Sequence, residues 1–290
     1  MDYVKKIAYP DINIRKDAII DILRKNELPY LLQRTKQNEI WIENIIIPVN
    51  SNGSSKRLVL GAHYDSVAGS CGANDNAASV SILIHAAKKL LGKANRPIDI
   101  VFFDKEESPD KGSETYIRFI GKERISAMVN LDACGVGDYI AVNHKGNLEN
   151  VLFYGLMDSK VLNVNNVKFV KNLPKSDDSS FDMFGIPNIS VSVLTSSDIK
   201  FFNMFTELPE KYPQSVRELY TRLDVMKTLH NSEFDTVDIV SQQSIDMVCK
   251  YIITGLLHKR TFIKNSKSSI NAFRLLKEYF YSSDSELNIK

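Results

Sequence analysis

Cysteine is scarce in this chain. Its 290 residues hold three, Cys71, Cys134 and Cys249, with no CxxC pair; that argues against a disulfide framework and predicts a reducing compartment. No apolar run approaches the roughly 18 residues of a membrane-spanning helix. The opening "MDYVKKIAYPDINIRKDAII" also lacks an apolar core of signal-peptide type. These absences predict a soluble, cytoplasmic chain with no membrane partner. An excess of charge of either sign is missing too, the formal net charge being +2. Short pairs such as Lys5-Lys6 and Lys88-Lys89 read as solvated faces, and without a basic stripe interleaved with aromatics no nucleic-acid partner is expected. There is no internal repeat and no low-complexity tract. GxSxG, HExxH and Walker sequences are absent as well, which removes the commonest rival hydrolase and nucleotide readings.

What is present has the composition of a globular protein, 43% hydrophobic and 25% charged, on a chain long enough for a sizeable core. From Asp11 to Leu28 the residues Ile12, Ile14, Ala18, Ile19, Ile22 and Leu23 recur at helical spacing behind an aspartate cap. "NEIWIENIIIPV" (38–49) reads as one or two strands, closed by "NSNGSS". Strand and helix then alternate: "RLVLGAH", "NAASVSILIHAAKKLLG", "RPIDIVFFDKEE", "SETYIRFIG" and "AMVNLDACG". Further on come "YIAVNHK" (strand), "NLENVLFYGLMDSKVL" (helix), "IPNISVSVLTS" (strand) and a long helix from about Thr236 to His258. The pattern predicts an α/β fold, one domain over 1–262, with a mostly parallel mixed sheet covered by helices on both faces. Residues 263–290, including "SINAFRLLKEYFYSS", read as a C-terminal helical tail.

Ligands of open α/β sheets gather beyond the carboxyl ends of the strands, and acidic residues and a histidine fall at those places. His63 and Asp65 end one strand, Asp104, Glu106 and Glu107 a second, and Asp132 a third. Carboxylates crowded on one rim would repel each other, and burial would raise their pKa values. A divalent cation removes that conflict, and histidine beside carboxylates is a good ligand set for zinc. His85, His144 and His258 read instead as structural or surface residues, and Cys134 as a small buried filler.

The blocks "GAHYDS", "GANDNAAS", "FFDKEE", "VNLDACG", "SDDSSF" and "TLHNSEFDT" follow one another in this order. Segment by segment they resemble the signatures of the di-zinc aminopeptidase family, the bacterial leucyl-type aminopeptidases with their glutamate carboxypeptidase-like and glutaminyl cyclase relatives. The resemblance covers about Leu58 to Leu257 and implies the zinc-peptidase fold of that family. Carried over position by position, it implies two zinc ions. His63 and Asp132 would bind one, Glu107 and His230 the other, and Asp75 would bridge them. Glu106 would be the general base toward a water between the ions, and Asp65 would fix the tautomer of His63. The same ligands would accept cobalt or manganese. The partner implied is a peptide with a free N-terminus, its amine recognised by the acidic rim through Glu106 and Asp132.

Three departures from the family pattern stand out. Asp178 occupies a place where many members have histidine. The run after the last ligand is one residue longer, which leaves Glu233 and Asp235 as alternatives for the carboxylate beside His230. Tyr64, Tyr139 and Tyr154 are equally available as oxyanion donors. The competing activities are a carboxypeptidase or dipeptidase, for which Arg217 and Arg222 are the candidate carboxylate anchors; a one-zinc glutaminyl cyclase; and a non-catalytic peptide-binding relative. The stretch 196–216, with Phe201, Phe202, Met204 and Phe205, reads as core packing, with a lid, a pocket lining or an oligomer contact as alternatives.

Overall fold

A computed structural model gives the fold and describes residues 1–37, 39–50, 56–94, 96–109, 111–145, 153, 155–205, 211–229 and 233–258. Helices α1 (Asp2–Ile7) and α2 (Ile12–Lys25) lead into the strand pair β1 (Leu31–Gln37) and β2 (Ile40–Val49). Next come β3 (Arg57–His63), α3 (Ala78–Leu90), β4 (Ile98–Phe103), α4 (Gly112–Ile120), β5 (Ile125–Leu131) and β6 (Tyr139–Lys145). The chain continues through α5 (Ser159–Val164), β7 (Val167–Phe169), α6 (Asp178–Met183) and β8 (Asn188–Leu194), then α7 (Ser196–Met204), α8 (Gln214–Tyr220) and α9 (Gln242–Leu257).

The eight strands form one mixed sheet in the order β1-β2-β4-β3-β5-β8-β6-β7. Its centre, β4-β3-β5-β8, is parallel, and antiparallel pairs flank it on both sides. Every residue of β3, β4 and β8 is buried, as a strand covered on both faces requires. Alternate side chains feed two cores. Leu58, Leu60 and Ala62 pack with residues of α1, α2, α3 and α9, whereas Val59 packs with Tyr116 and Ile117 of α4 and Phe181 of α6. The α/β class and the single mixed sheet expected from the sequence are therefore present.

Caps place the helix ends. Asp11 accepts the amides of Asn13 (2.7 Å) and Ile14 (3.2 Å) and starts α2 where the sequence predicts it. The last helix starts later than expected, because Val237–Ile239 form a 3-10 turn and Ser241 supplies the cap. In the stretch read as a helix over 147–162, the described part becomes helical only at Ser159. Strand β1 is absent from the sequence reading. Its one buried residue is Gln33, which accepts a hydrogen bond from Asn44 Nδ2 at 2.9 Å, so the strand carries no apolar alternation. The tail, 263–290, lies outside the described residues.

Strands β3 and β5 are neighbours, but the chain leaves β3 toward β4 on one side and leaves β5 toward β6 on the other. This switch opens a crevice beyond the carboxyl ends of β3 and β5, the usual ligand position in such sheets.

Candidate metal centre

His63, the last residue of β3, is almost wholly buried. Its Nε2 stands 3.0 Å from Asp75 Oδ1 and 3.6 Å from Asp132 Oδ1. On the other side of the ring, Nδ1 is 3.3 Å from Asp65 Oδ1. His63, Asp75 and Glu107 each offer a ligand atom, all within 4.8 Å of one another.

The loop that delivers Asp75 is held from several directions. Gly72 turns the chain at φ 57°, in the left-handed region that glycine tolerates. Asn74 then donates to Thr228 Oγ1 (2.8 Å) and accepts the amide of Gly135 (2.7 Å), and Asn76 donates to the carbonyl of Leu131 (2.9 Å). Both asparagines of "NDN" are thus spent on anchoring, and the aspartate between them faces the histidine. The Asp75–Asn76 peptide is cis. Asp235, fully buried, grips this segment through its main chain, taking the amides of Asn74 (2.6 Å) and Asp75 (3.1 Å).

Asp65 has a matching task on the opposite wall. Its two carboxylate oxygens accept the amides of Glu106 and Glu107, each at 3.0 Å. Just before them Lys105 adopts φ 60°, a conformation unfavourable for a side-chain-bearing residue, of the kind that gathers at functional sites. Ala133, directly after Asp132, has φ 51°. Asp132 is fixed through its main chain: its amide donates to Val191 O (3.0 Å) and its carbonyl accepts Ser192 Oγ (2.6 Å). Glu106 is buried, with Lys111 Nζ donating to its Oε1 at 3.0 Å and to its carbonyl.

The electrostatics are those of a site that calls for a cation. Burial works against a charge on His63, but hydrogen bonds to Asp132, Asp65 and Asp75 outweigh it and raise the imidazole well above its ordinary value. Burial pushes Asp75 up to about 6 against the pull of His63, with the charges of Asp132 and Glu107 adding to the rise. Burial likewise lifts Glu106 to about 8, opposed by His63 and Lys111 and assisted by Asp177 and Asp132. Asp65 stays low: burial would raise it, but His63 and the two amides prevail. Imidazole nitrogen with buried carboxylate oxygens at these separations is a donor set that zinc takes, so the residues fit the ion.

Other residues from the sequence reading fall as follows. His230 and Tyr154 lie outside the described residues. Glu233 is exposed and Asp235 holds the segment of Asp75; which of them stands beside His230 falls outside the described residues. Tyr64 donates its hydroxyl to Glu43 O at 2.9 Å, a bond that commits it elsewhere than to an oxyanion. Asp104 turns toward the neighbouring strand and accepts the amide of Glu43 at 2.9 Å. Asp178 folds back on its own loop, accepting Ser176 N at 3.0 Å. Its neighbour Asp177 is the one the sequence reading passed over. It is fully buried, and burial with the charge of Asp65 lifts it to about 7 against His63, the Ser113 hydroxyl and Lys111. Cys134 is a buried filler, His85 stacks on Tyr3 at 4.7 Å, and Phe202 packs into a satellite core with Leu194 and Leu223. Arg217 and Arg222 are exposed.

Residues 44–254 match the family described as "Peptidase family M28". Among curated proteins the chain is 30% identical over 133 residues to the vacuolar membrane protease of Yarrowia lipolytica, 44% of this chain and 13% of that one. The chain therefore spans about an eighth of that relative's length. Among solved structures, a zinc aminopeptidase from Bacillus subtilis aligns with TM-score 0.55 at 18% identity, covering 75% of this chain and 50% of its own. The glutaminyl cyclase of Porphyromonas gingivalis aligns with TM-score 0.63 at 18% identity, covering 88% and 95%. At such identities these structures establish the fold. The cytoplasmic location expected from sparse cysteine and the lack of a signal-type or membrane-spanning run is overturned by the relative named for the vacuolar membrane; three free thiols are compatible with more than one compartment. Among the described residues no helix is long and apolar enough to cross a membrane. Six signature blocks in order, with Asp65, Asp75 and Asp132 gathered on the His63 imidazole, and a match over 44–254 lead to one assignment: the chain belongs to peptidase family M28.

Proposed function

We propose that the chain is a zinc aminopeptidase that removes N-terminal residues from peptides. The observation that carries this reading is the crowding of buried acids around one imidazole, with Asp75 and Asp132 both on His63 Nε2 and Glu107 within ligand distance. In this proposal His63 and Asp132 would hold one zinc, Glu107 and His230 would hold a second, and Asp75 would be shared between the two. When bound, zinc supplies a Lewis acid that polarises the scissile carbonyl and lowers the pKa of water.

The chain's own residues supply the rest. Glu106 takes a proton from the attacking water on its carboxylate and returns it to the leaving amine. Lys111, 3.0 Å from Glu106 Oε1, favours the ionised form that a base requires. Asp65 keeps Glu106 and Glu107 in register by holding both amides, and it keeps the Nδ1 side of His63 occupied so that Nε2 faces the acids. A free ammonium group is attracted by the same acidic rim, which is why a peptide with a free amine is the substrate proposed.

A panel of aminoacyl chromogenic substrates, with and without chelator, tests the activity, and metal analysis tests the stoichiometry. Cleavage that needs a free amine and disappears with chelator is expected, with about two zinc per chain. Glu106→Gln is expected to lower kcat by about 10²–10⁴-fold with zinc still bound. No cleavage of any free-amine substrate refutes the aminopeptidase reading, and a single tightly held zinc turns the assignment toward the cyclase-like relatives.

A further inference from the structure

Arg15 lies in α2, upstream of the residues matched to the peptidase family, yet it is fully buried. Its guanidinium reaches across to the loop that runs from His63 to Asp75. Nε donates to Tyr64 O at 2.5 Å, Nη1 to Cys71 O at 2.5 Å and Tyr9 O at 3.3 Å, and Nη2 to Gly72 O at 3.3 Å. Three of those carbonyls belong to residues 64–72, whose path sets where His63, Asp65 and Asp75 stand relative to one another. The planar fork of donors is a geometry that lysine cannot reproduce. Burial lowers Arg15 to about 10, while Asp65, Asp235 and Asp75, in that order, pull it back up. It is thus a buried positive charge beneath the acidic rim as well as a clamp.

We propose that Arg15 is a positioning residue of the metal centre: it fixes the loop between His63 and Asp75, which makes the N-terminal helices part of the site. The proposal rests on the zinc reading above. It acts through the loop and touches no substrate. Gly72 gives a second route to the same loop, since a Cβ there would come to 2.6 Å of Arg15 Nη1, 2.7 Å of Ser66 Cβ and 2.8 Å of Asp75 O at a backbone φ of +57°.

The test measures zinc affinity of the full chain by competition with a chelating dye, in wild type, Arg15→Lys, Arg15→Met, Gly72→Ala, His63→Ala and Arg57→Met. Arg57 is the control, a second buried arginine paired with Asp99 at 3.1 Å away from the site. Removing a group that orients metal ligands lowers affinity by about 10–100-fold. That loss is expected for Arg15→Met and Gly72→Ala, with Arg15→Lys intermediate. Arg57→Met is expected to melt at a lower temperature with zinc affinity within about threefold of wild type. If Arg15→Met does not fold, Arg15→Lys and Gly72→Ala carry the measurement. Unchanged affinity in the folded Arg15 and Gly72 variants, or an equal loss in Arg57→Met, overturns the positioning role. Zinc affinity unaffected by His63→Ala, or absent from wild type, overturns the metal-centre reading first and this inference with it.

Discussion

Asp65→Asn is the most informative single change in the site, because one atom is altered and two walls are affected. The wild-type carboxylate accepts two buried amides, Glu106 N and Glu107 N, each at 3.0 Å. Asparagine can keep one of these bonds, but it must turn its NH2 group toward the other amide, setting donor against donor. A hydrogen bond to a charged group contributes about 1.5–3 kcal/mol, and a buried amide left unsatisfied costs about as much. Asp65 is 7% exposed, so solvent offers little compensation. The loss should be about 2–3 kcal/mol, or roughly 4–12 °C in melting temperature for a chain of this size. His63 Nδ1 also loses a charged neighbour at 3.3 Å, so zinc affinity should fall about 10–100-fold. Thermal unfolding of the metal-free protein reads the first effect and dye competition the second. A variant that melts within about 1 °C of wild type and binds zinc equally well would refute the assignment of Asp65 to both walls.

Three further outcomes follow from the same coordinates. Metal-free protein should lose stability as pH rises from about 5.5 to about 8.5, because Glu106, Asp177, Asp75 and Asp104 sit at about 8, 7, 6 and 6. Folded chains hold those protons after unfolded chains have released them, so each contribution is complete at acid pH and is lost through the folded value. A melting temperature that is flat or rises over that range contradicts the burial of these acids. Asp235→Ala releases the amides of Asn74 and Asp75 and should weaken zinc binding about tenfold or more; dye competition showing no change removes Asp235 from the site. Gly61→Ala places a methyl against the Phe103 ring and 2.7 Å from Met128 Cε, an overpacking expected to cost about 1–3 kcal/mol in urea unfolding, and a cost near zero would mean that β3 can shift.

The sequence made some of this architecture visible and concealed the rest for physical reasons. Strand β3 was legible because both its faces are buried, which leaves an apolar run from Leu58 to Ala62; His63 ends it, and Asp65 and Asp75 follow within a short loop of small residues. Strand β1 was hidden because its one inward side chain is Gln33, an amide bonded to Asn44. Arg15 occupies a position in an amphipathic helix where a charged residue reads as solvated, and only the approach of the 64–72 loop buries it. Of two adjacent aspartates, Asp177 and Asp178, sequence cannot say which faces the site; the start of α6 turns Asp178 to its own backbone and leaves Asp177 buried. The task of Asp235 was hidden because the amides it takes, those of Asn74 and Asp75, lie far from it in the chain.

The grip of Asp235 on the "NDN" segment spans 161 residues of chain. Damage at the far end of the chain therefore reaches this loop as directly as damage beside it: a chain cut before Asp235 keeps His63, Asp75 and Glu107 but loses the carboxylate that takes the amides of Asn74 and Asp75.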